Sequence, residues 1–294
     1  DAIRGCESRG KIHLNSLKNL FSEIEAQQNY DKIGSLNPKM LKDLASIDFS
    51  FNKQNSAYDY YCQFLNKIKA ELKEPTRKSI SLSIPNQSFL LMDEKIISDQ
   101  SKQMKLIEDC FFLKIKRVLA CNQCGSKVET IKDEYSMELE DSLTCLGIKA
   151  CLSKHFSPKK ISKQCSICVK ETEFIEQSTI MNTPKYILLR FPRAERFYFR
   201  KLSSKSKRNG NFQSNLELKS FASSEIQDSS PSKYEIKGCI EFMGRIDTGH
   251  YVSYCQRANK WFSFDDECVT HISEGKLKSK RFHLLLYELE TEAK

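Results

Sequence analysis

Four cysteines constrain this chain more than any other feature. Cys121 and Cys124 form one CxxC pair, and Cys165 and Cys168 form a second, 40 residues further on. Two residues between paired cysteines let both sulfurs of one tight turn face the same ion. Two such turns bring four thiolates into a tetrahedron, the geometry of structural zinc. The gap exceeds the roughly 15 to 20 residues of an isolated zinc module. The intervening chain must therefore carry structure of its own, with the metal clipping two distant hairpins together. All four ligand positions are filled by protein, so the expected site is closed and structural, with one zinc ion. The alternative reading of the same residues is a redox pair, or four unrelated buried thiols.

The other eight of the twelve cysteines are scattered. That pattern favours a reducing compartment, cytoplasmic or nuclear, with the remaining thiols acting as small buried hydrophobes. At 294 residues the chain can bury a sizeable core. No run of 18 apolar residues suggests a membrane span, and no apolar run near the start resembles a signal peptide. Net charge is +9. This is read as a solvated basic surface or as a face for an acidic partner. Outside Lys201 to Arg208 the basic residues are dispersed. They are not interleaved with aromatics as a base-stacking surface would be, which makes nucleic acid an unfavoured partner.

Residues 1–75 read as helical. Leu17, Leu20, Phe21 and Ile24 recur at helical spacing, as do Ala57, Tyr61, Leu65, Ile68 and Leu72. Ser56, three residues before Asp59, is a plausible helix start. Lys73 to Ser88 is polar and broken by Pro75 and Pro85, as a loop would be. From about Ile107 the pattern becomes short alternating stretches, and Lys185 to Phe191 reads as a buried strand. Residues 201–233 are rich in Ser, Lys and Asn, so a mobile surface insertion is expected there. Four strand candidates then follow: Tyr234 to Phe242, His250 to Gln256, Lys260 to Asp266 and Phe282 to Leu289. Short polar turns join them, which implies an antiparallel sheet. Helices first and strands later make the fold class α+β. No internal repeat is visible.

The segment "GHYVSYCQRANKWFSFDD" (Gly249 to Asp266) holds the candidate acid–base chemistry. A thiol or serine hydrolase needs a base near neutral pKa and a third group to fix its tautomer. His250 begins one strand candidate and Asp265 ends the next. In a hairpin those ends lie side by side, and Gly249 would allow a substrate backbone to approach closely. Trp261, the single tryptophan, would bury and rigidify the strand that carries the acid. On its own the same pattern also describes a strand-start histidine and an acidic turn.

"GHYVSY" and "KWFSFDDECV" closely resemble the histidine box of the ubiquitin-specific proteases, papain-like cysteine proteases that cleave the isopeptide bond after the ubiquitin C-terminus. Tyr234, Gly244, Val269 and "LLLY" (Leu284 to Tyr287) complete that box. "PKYILLRF" (Pro184 to Phe191) is similar to another strand of the family, the CxxC pairs to the zinc ribbon of its fingers, and "QNSAYDYYCQFL" (Gln54 to Leu65) and "LKNLF" (Leu17 to Phe21) to two of its helices. The resemblance runs in order along nearly the whole chain. It implies one catalytic domain over 1–294: thumb helices at 1–75, zinc-bearing fingers at 107–184, and an antiparallel palm at 185–294 with the insertion at 201–233. It implies His250 as general base, Asp265 as its orienting acid and Asp266 as a second acidic residue of the site. Gly249, Tyr251 and Gln54 would contact substrate, with ubiquitin or ubiquitinated proteins as partners, zinc as the cofactor and no membrane. A protein that activates the enzyme is left open.

The sequence departs from the family at the nucleophile. The family's G-N-T-C-Y-x-N-S box is absent from Asp1 to Lys294, and Leu14-Asn15-Ser16 only echoes it. Cys6 has neither the asparagine before it nor the aromatic after it. The leading expectation is that the cysteine box lies upstream of Asp1, so the nucleophile is unknown. A catalytically inactive ubiquitin-binding scaffold of the same fold is the alternative, and a zinc-ribbon nucleic-acid-binding protein a remote one. Ser56 stands where the family's helix has an acid, Asp59 and Tyr60 replace Glu and Phe, and Phe242 stands where histidine is frequent.

Overall fold

The computed structural model describes residues 15, 16, 18, 19, 22, 56–73, 101–140, 147–192, 212–227, 233–244 and 248–290. The chain divides into two units, Asp1–Cys110 and Phe111–Lys294. In the first, helix α1 spans Ala57–Lys73; helix α2 spans residues 101–111, its last residue being the first of the second unit. Ser56 caps α1 as its sequence suggests: the Asp59 amide donates to Ser56 Oγ at 3.3 Å. Leu65, Ile68 and Leu72 form the buried stripe. Asn15, Ser16, Lys18, Asn19 and Ser22 are helical where the earlier helix is expected, but its apolar positions lie outside the described residues, as do Cys6, Gln54 and residues 74–88. Helix α2 corrects the expectation of alternating stretches from Ile107. Ile107 and Cys110 are buried at helical spacing.

The second unit holds two sheets. Strands β1 (Leu113–Cys121), β2 (Lys127–Glu134), β4 (Lys159–Cys165) and β5 (Lys170–Ile180) form an antiparallel sheet in the order β2-β1-β5-β4. The larger sheet has β3 (Met137–Glu138), β6 (Tyr186–Arg190), β7 (Asn215–Glu217), β8 (Lys233–Met243), β9 (His250–Arg257), β10 (Lys260–Asp265), β11 (Cys268–Ile272) and β12 (Leu284–Leu289). Its order is β11-β10-β9-β8-β12-β6-β3, with β7 on β8. Every pairing is antiparallel except β3 with β6. The four expected strands are all present. Strand β11 and two short helices, α3 (Ile148–Phe156) and α5 (Glu274–Lys278), are additions that the sequence pattern did not reveal.

Strand β12 sits between β8 and β6, which explains its near-continuous apolar run. Leu189, Leu285, Tyr234 and Tyr287 are fully buried around it. Both phenols find acceptors, Tyr234 on the Pro184 carbonyl (2.9 Å) and Tyr287 on the Gln213 carbonyl (2.8 Å).

The expected mobile insertion at 201–233 is corrected over residues 212–227. Strand β7, a 3₁₀ turn at Lys219–Phe221 and helix α4 (Ser224–Gln227) order it. Leu216 and Leu218 are each 2 % exposed, and the Phe212 ring meets Trp261 edge-on at 5.6 Å. A few well-spaced apolar anchors dock this segment although its average composition is polar. The remainder, 201–211 and 228–232, lies outside the described residues.

Candidate functional site

The larger sheet positions His250 and Asp265 through two tight turns. Strands β9 and β10 are joined by Ala258 and Asn259, at φ 45° and 61°. Positive φ at both central residues marks the type I′ turn whose twist suits a two-residue hairpin. This fixes the register, with Phe264 opposite Ser253. One step further, Asp265 falls opposite Val252, diagonal to His250 on the same face. That face is the buried one: Val252, Tyr254 and Trp261 all point into the core. His250 and Asp265 stand at its end, where the strands run out from under their cover.

There His250 Nε2 lies 2.6 Å from Asp265 Oδ1. An ionised carboxylate can only accept, so Nε2 carries the proton and, in the neutral ring, Nδ1 carries the lone pair. Nδ1 has no hydrogen-bond partner among the described residues. The His250 pKa is raised above its ordinary value, first by the hydrogen bond to Asp265, with the charges of Asp266 and Asp265 adding to it against partial desolvation. Asp266 follows at φ 49°, the sign found at the first central position of a type II′ turn. A carboxylate oxygen of Asp266 lies within 4.8 Å of both the His250 nitrogen and the Asp265 oxygen. Tyr251 points to the opposite face, with its ring 4.7 Å from Phe242 and 6.3 Å from His283. Gly249 immediately precedes β9. The structure thus brings His250, Asp265 and Asp266 together. Gln54 lies outside the described residues, and among those residues no cysteine is hydrogen-bonded to His250.

The second cluster closes one end of the smaller sheet. Each CxxC pair forms the hairpin turn itself: Cys121 ends β1 with Cys124 in the turn to β2, and Cys165 ends β4 with Cys168 in the turn to β5. The 40-residue gap is filled by β2, β3, α3 and β4, so it carries structure as its length demands. Cys121 Sγ lies 4.0 Å from Cys168 Sγ, and Cys124 Sγ lies 3.7 Å from Cys165 Sγ. A tetrahedron with Zn–S bonds of about 2.3 Å has edges of about 3.8 Å, so the four sulfurs fit one zinc ion.

Two knuckles of the same shape hold them. The Gly125 amide donates to the Cys121 carbonyl, and the Val169 amide donates to the Cys165 carbonyl, each at 2.9 Å. Gly125 and Val169 both have positive φ, 72° and 53°. The buried Thr172 hydroxyl, 3.3 Å from Cys121 Sγ, is a partner that sequence reasoning missed. Its only signal is a threonine on the cysteine-bearing face of an alternating strand. With the Cys124 amide it pulls the Cys121 thiol down to about 6. Cys165 is lowered by the Cys168 amide, whereas burial and the crowded sulfurs push Cys168 up to about 12. A cation held among the four sulfurs would reverse that last effect.

The sequence model of the family described as ubiquitin carboxyl-terminal hydrolase matches residues 4–287. The chain belongs to this family. Ubiquitin carboxyl-terminal hydrolase 8 of Saccharomyces cerevisiae is 21 % identical over 251 residues, which cover 80 % of this chain and 50 % of that protein. The probable ubiquitin carboxyl-terminal hydrolase 8 of Schizosaccharomyces pombe is 24 % identical over 173 residues, covering 59 % and 36 %. The chain therefore spans between about a third and a half of the length of these two relatives. Among solved structures, the yeast SAGA DUBm with a mutant Sgf73 superposes with a TM-score of 0.68 at 19 % identity, over 99 % of this chain and 61 % of that one. A SAGA DUB module of Ubp8, Sgf11, Sus1 and Sgf73 gives 0.65 at 18 % identity, over 95 % and 58 %. The fold is that of the ubiquitin-specific proteases, α+β with an antiparallel palm.

Proposed function

We propose that this chain carries the acid–base half of a thiol deubiquitinase, with His250 as general base and Asp265 as the residue that orients it. The observation behind this reading is the 2.6 Å contact between His250 Nε2 and Asp265, which leaves Nδ1 as the basic atom. Nδ1 takes the proton of a cysteine thiol, and the thiolate attacks the carbonyl of the Gly–Lys isopeptide bond. His250 returns the proton to the leaving lysine amine, and an acyl-enzyme remains. Water, deprotonated by His250, then hydrolyses the thioester. Asp266 contributes negative charge beside the imidazolium, and Gly249 and Tyr251 border the ubiquitin tail, with Gln54 assigned to the same tail.

Cys121, Cys124, Cys165 and Cys168 would hold one zinc ion, which supplies a structural cross-link between the two hairpins of the smaller sheet. The scattered cysteines outside the two CxxC pairs suit an intracellular, reducing compartment, cytoplasmic or nuclear. A partner subunit that sets activity is a further element of this reading, suggested by the multi-subunit relatives.

The test is to react the protein carrying this sequence with ubiquitin bearing a C-terminal electrophile and to map the adduct by mass spectrometry. One modified cysteine identifies the missing nucleophile. Tight ubiquitin binding without any adduct would favour the inactive scaffold, and neither binding nor adduct would sink both readings.

A further inference from the structure

The connection from β8 to β9 ends at His250. Met243 closes β8 and pairs with His250 across the sheet. The next residue, Gly244, has φ +98°. A Cβ placed there would lie 3.1 Å from Gly249 Cα and 3.2 Å from the Thr248 carbonyl oxygen. Both are backbone atoms, which cannot swing aside as a side-chain end can. By contrast Gly125, Gly147 and Gly275 would meet nothing within 4 Å, and Gly238 only ordinary contacts from 3.5 Å. Thr248 and Gly249 are the two residues that lead directly into His250.

We infer that Gly244 is a positioning residue: its bare Cα seats Gly249, and through Gly249 it sets the His250 ring against Asp265. A side chain at 244 must displace the backbone next to His250. Asp265 has an anchor of its own, its pairing with Cys268 across the turn to β11, so a shift of the backbone at Gly249 is not passed on to it in full. A short hydrogen bond to a carboxylate is sensitive to such a displacement. The groups facing the imidazole among the described residues are Asp265 and Asp266, so His250's titration reports this geometry directly. The catalytic consequence rests on the function proposed above. The geometric claim does not.

The test uses two variants. Gly244→Ala adds a Cβ and opposes the positive φ. Gly244→Asn adds the same Cβ with a residue type that opposes positive φ less than alanine does, although +98° lies beyond the usual left-handed region. The His250 imidazole is titrated by NMR, its signal assigned by its loss in His250→Gln. Both variants are expected to bring its midpoint down towards the ordinary histidine value, with the other four histidines unmoved, while Gly275→Ala leaves it unchanged. On ubiquitin conjugates kcat is expected to fall by up to about 100-fold with KM held. A folded Gly244→Asn protein with the wild-type His250 titration would overturn the inference. So would loss of fold in both variants, which would tie Gly244 to the stability of the sheet instead of to one histidine. Should His250→Gln cleave ubiquitin conjugates normally, the catalytic reading falls while the titration result still decides the role of Gly244.

Discussion

His250 Nε2 meets Asp265 Oδ1 at 2.6 Å, although the residues are 15 apart in sequence and on different strands. The pairing follows from a two-residue turn of left-handed residues, which sets the register so that both side chains share one face. The buried side of the same strands carries Trp261 and Tyr254 into the core, so the sheet that stabilises the unit also aims the pair.

This pairing predicts a pH dependence. Asp265 raises the His250 pKa, and the base must be neutral to accept a proton. Cleavage should rise with pH, with a midpoint above the ordinary histidine value of about 6.5. Asp265→Asn should move that midpoint down and lower the plateau. For folding the sign is opposite: the contribution of His250 is fully present below its unfolded pKa and is lost as pH rises through the folded one. A pH–rate profile of the two proteins checks this, and an unchanged midpoint in Asp265→Asn would count against the coupling.

The smaller sheet should contain one zinc ion per chain by elemental analysis. Chelation or Cys165→Ser should speed amide exchange in β1, β4 and β5 and lower the melting temperature. A metal-free protein with full protection in these strands would contradict the zinc assignment.

The two cysteine knuckles should respond oppositely to substitution. Val169 is a β-branched residue at φ 53° and is 77 % exposed. Such a conformation costs on the order of 1–3 kcal/mol, against about 0.5–1 kcal/mol of extra chain entropy for glycine. Val169→Gly should therefore leave stability unchanged or raise it by up to about 2 kcal/mol, whereas Gly125→Val should lower it. Denaturant melts of the two variants decide this, and a destabilised Val169→Gly would refute the strain argument.

Leu216→Ala should cost about 2–5 kcal/mol, because Leu216 is buried in the core of the larger sheet. A cost below about 0.5 kcal/mol, the usual effect of a surface site, would return 212–227 to the status of a loose insertion.

Much of this was legible in the sequence, for identifiable reasons. The CxxC spacing predicts the hairpin-borne sulfur cluster because ligand geometry is local to each turn. Alternation and short turns locate β8, β9, β10 and β12. The His250–Asp265 pairing was readable because both residues sit at the ends of adjacent strands. Less was visible where averages mislead. Phe212, Leu216 and Leu218 are too few to lift the polar composition around them, yet each docks. Strand β11 is exposed along most of its length, so it shows no apolar alternation. Helix α3 has its buried Ile148, Cys151, Leu152 and Phe156 packed into nine residues between strands, too short a window to stand out. Thr172 is signalled only by its place on an alternating strand, because it reaches Cys121 from a strand far from it in sequence.

The most direct measurement is cleavage of ubiquitin conjugates by the protein carrying this sequence, compared with its His250→Gln variant at matched folding and zinc content. The account predicts a loss on the order of 10²–10⁴-fold in the variant, the usual contribution of a positioned general base. Equal cleavage by the two proteins would contradict it.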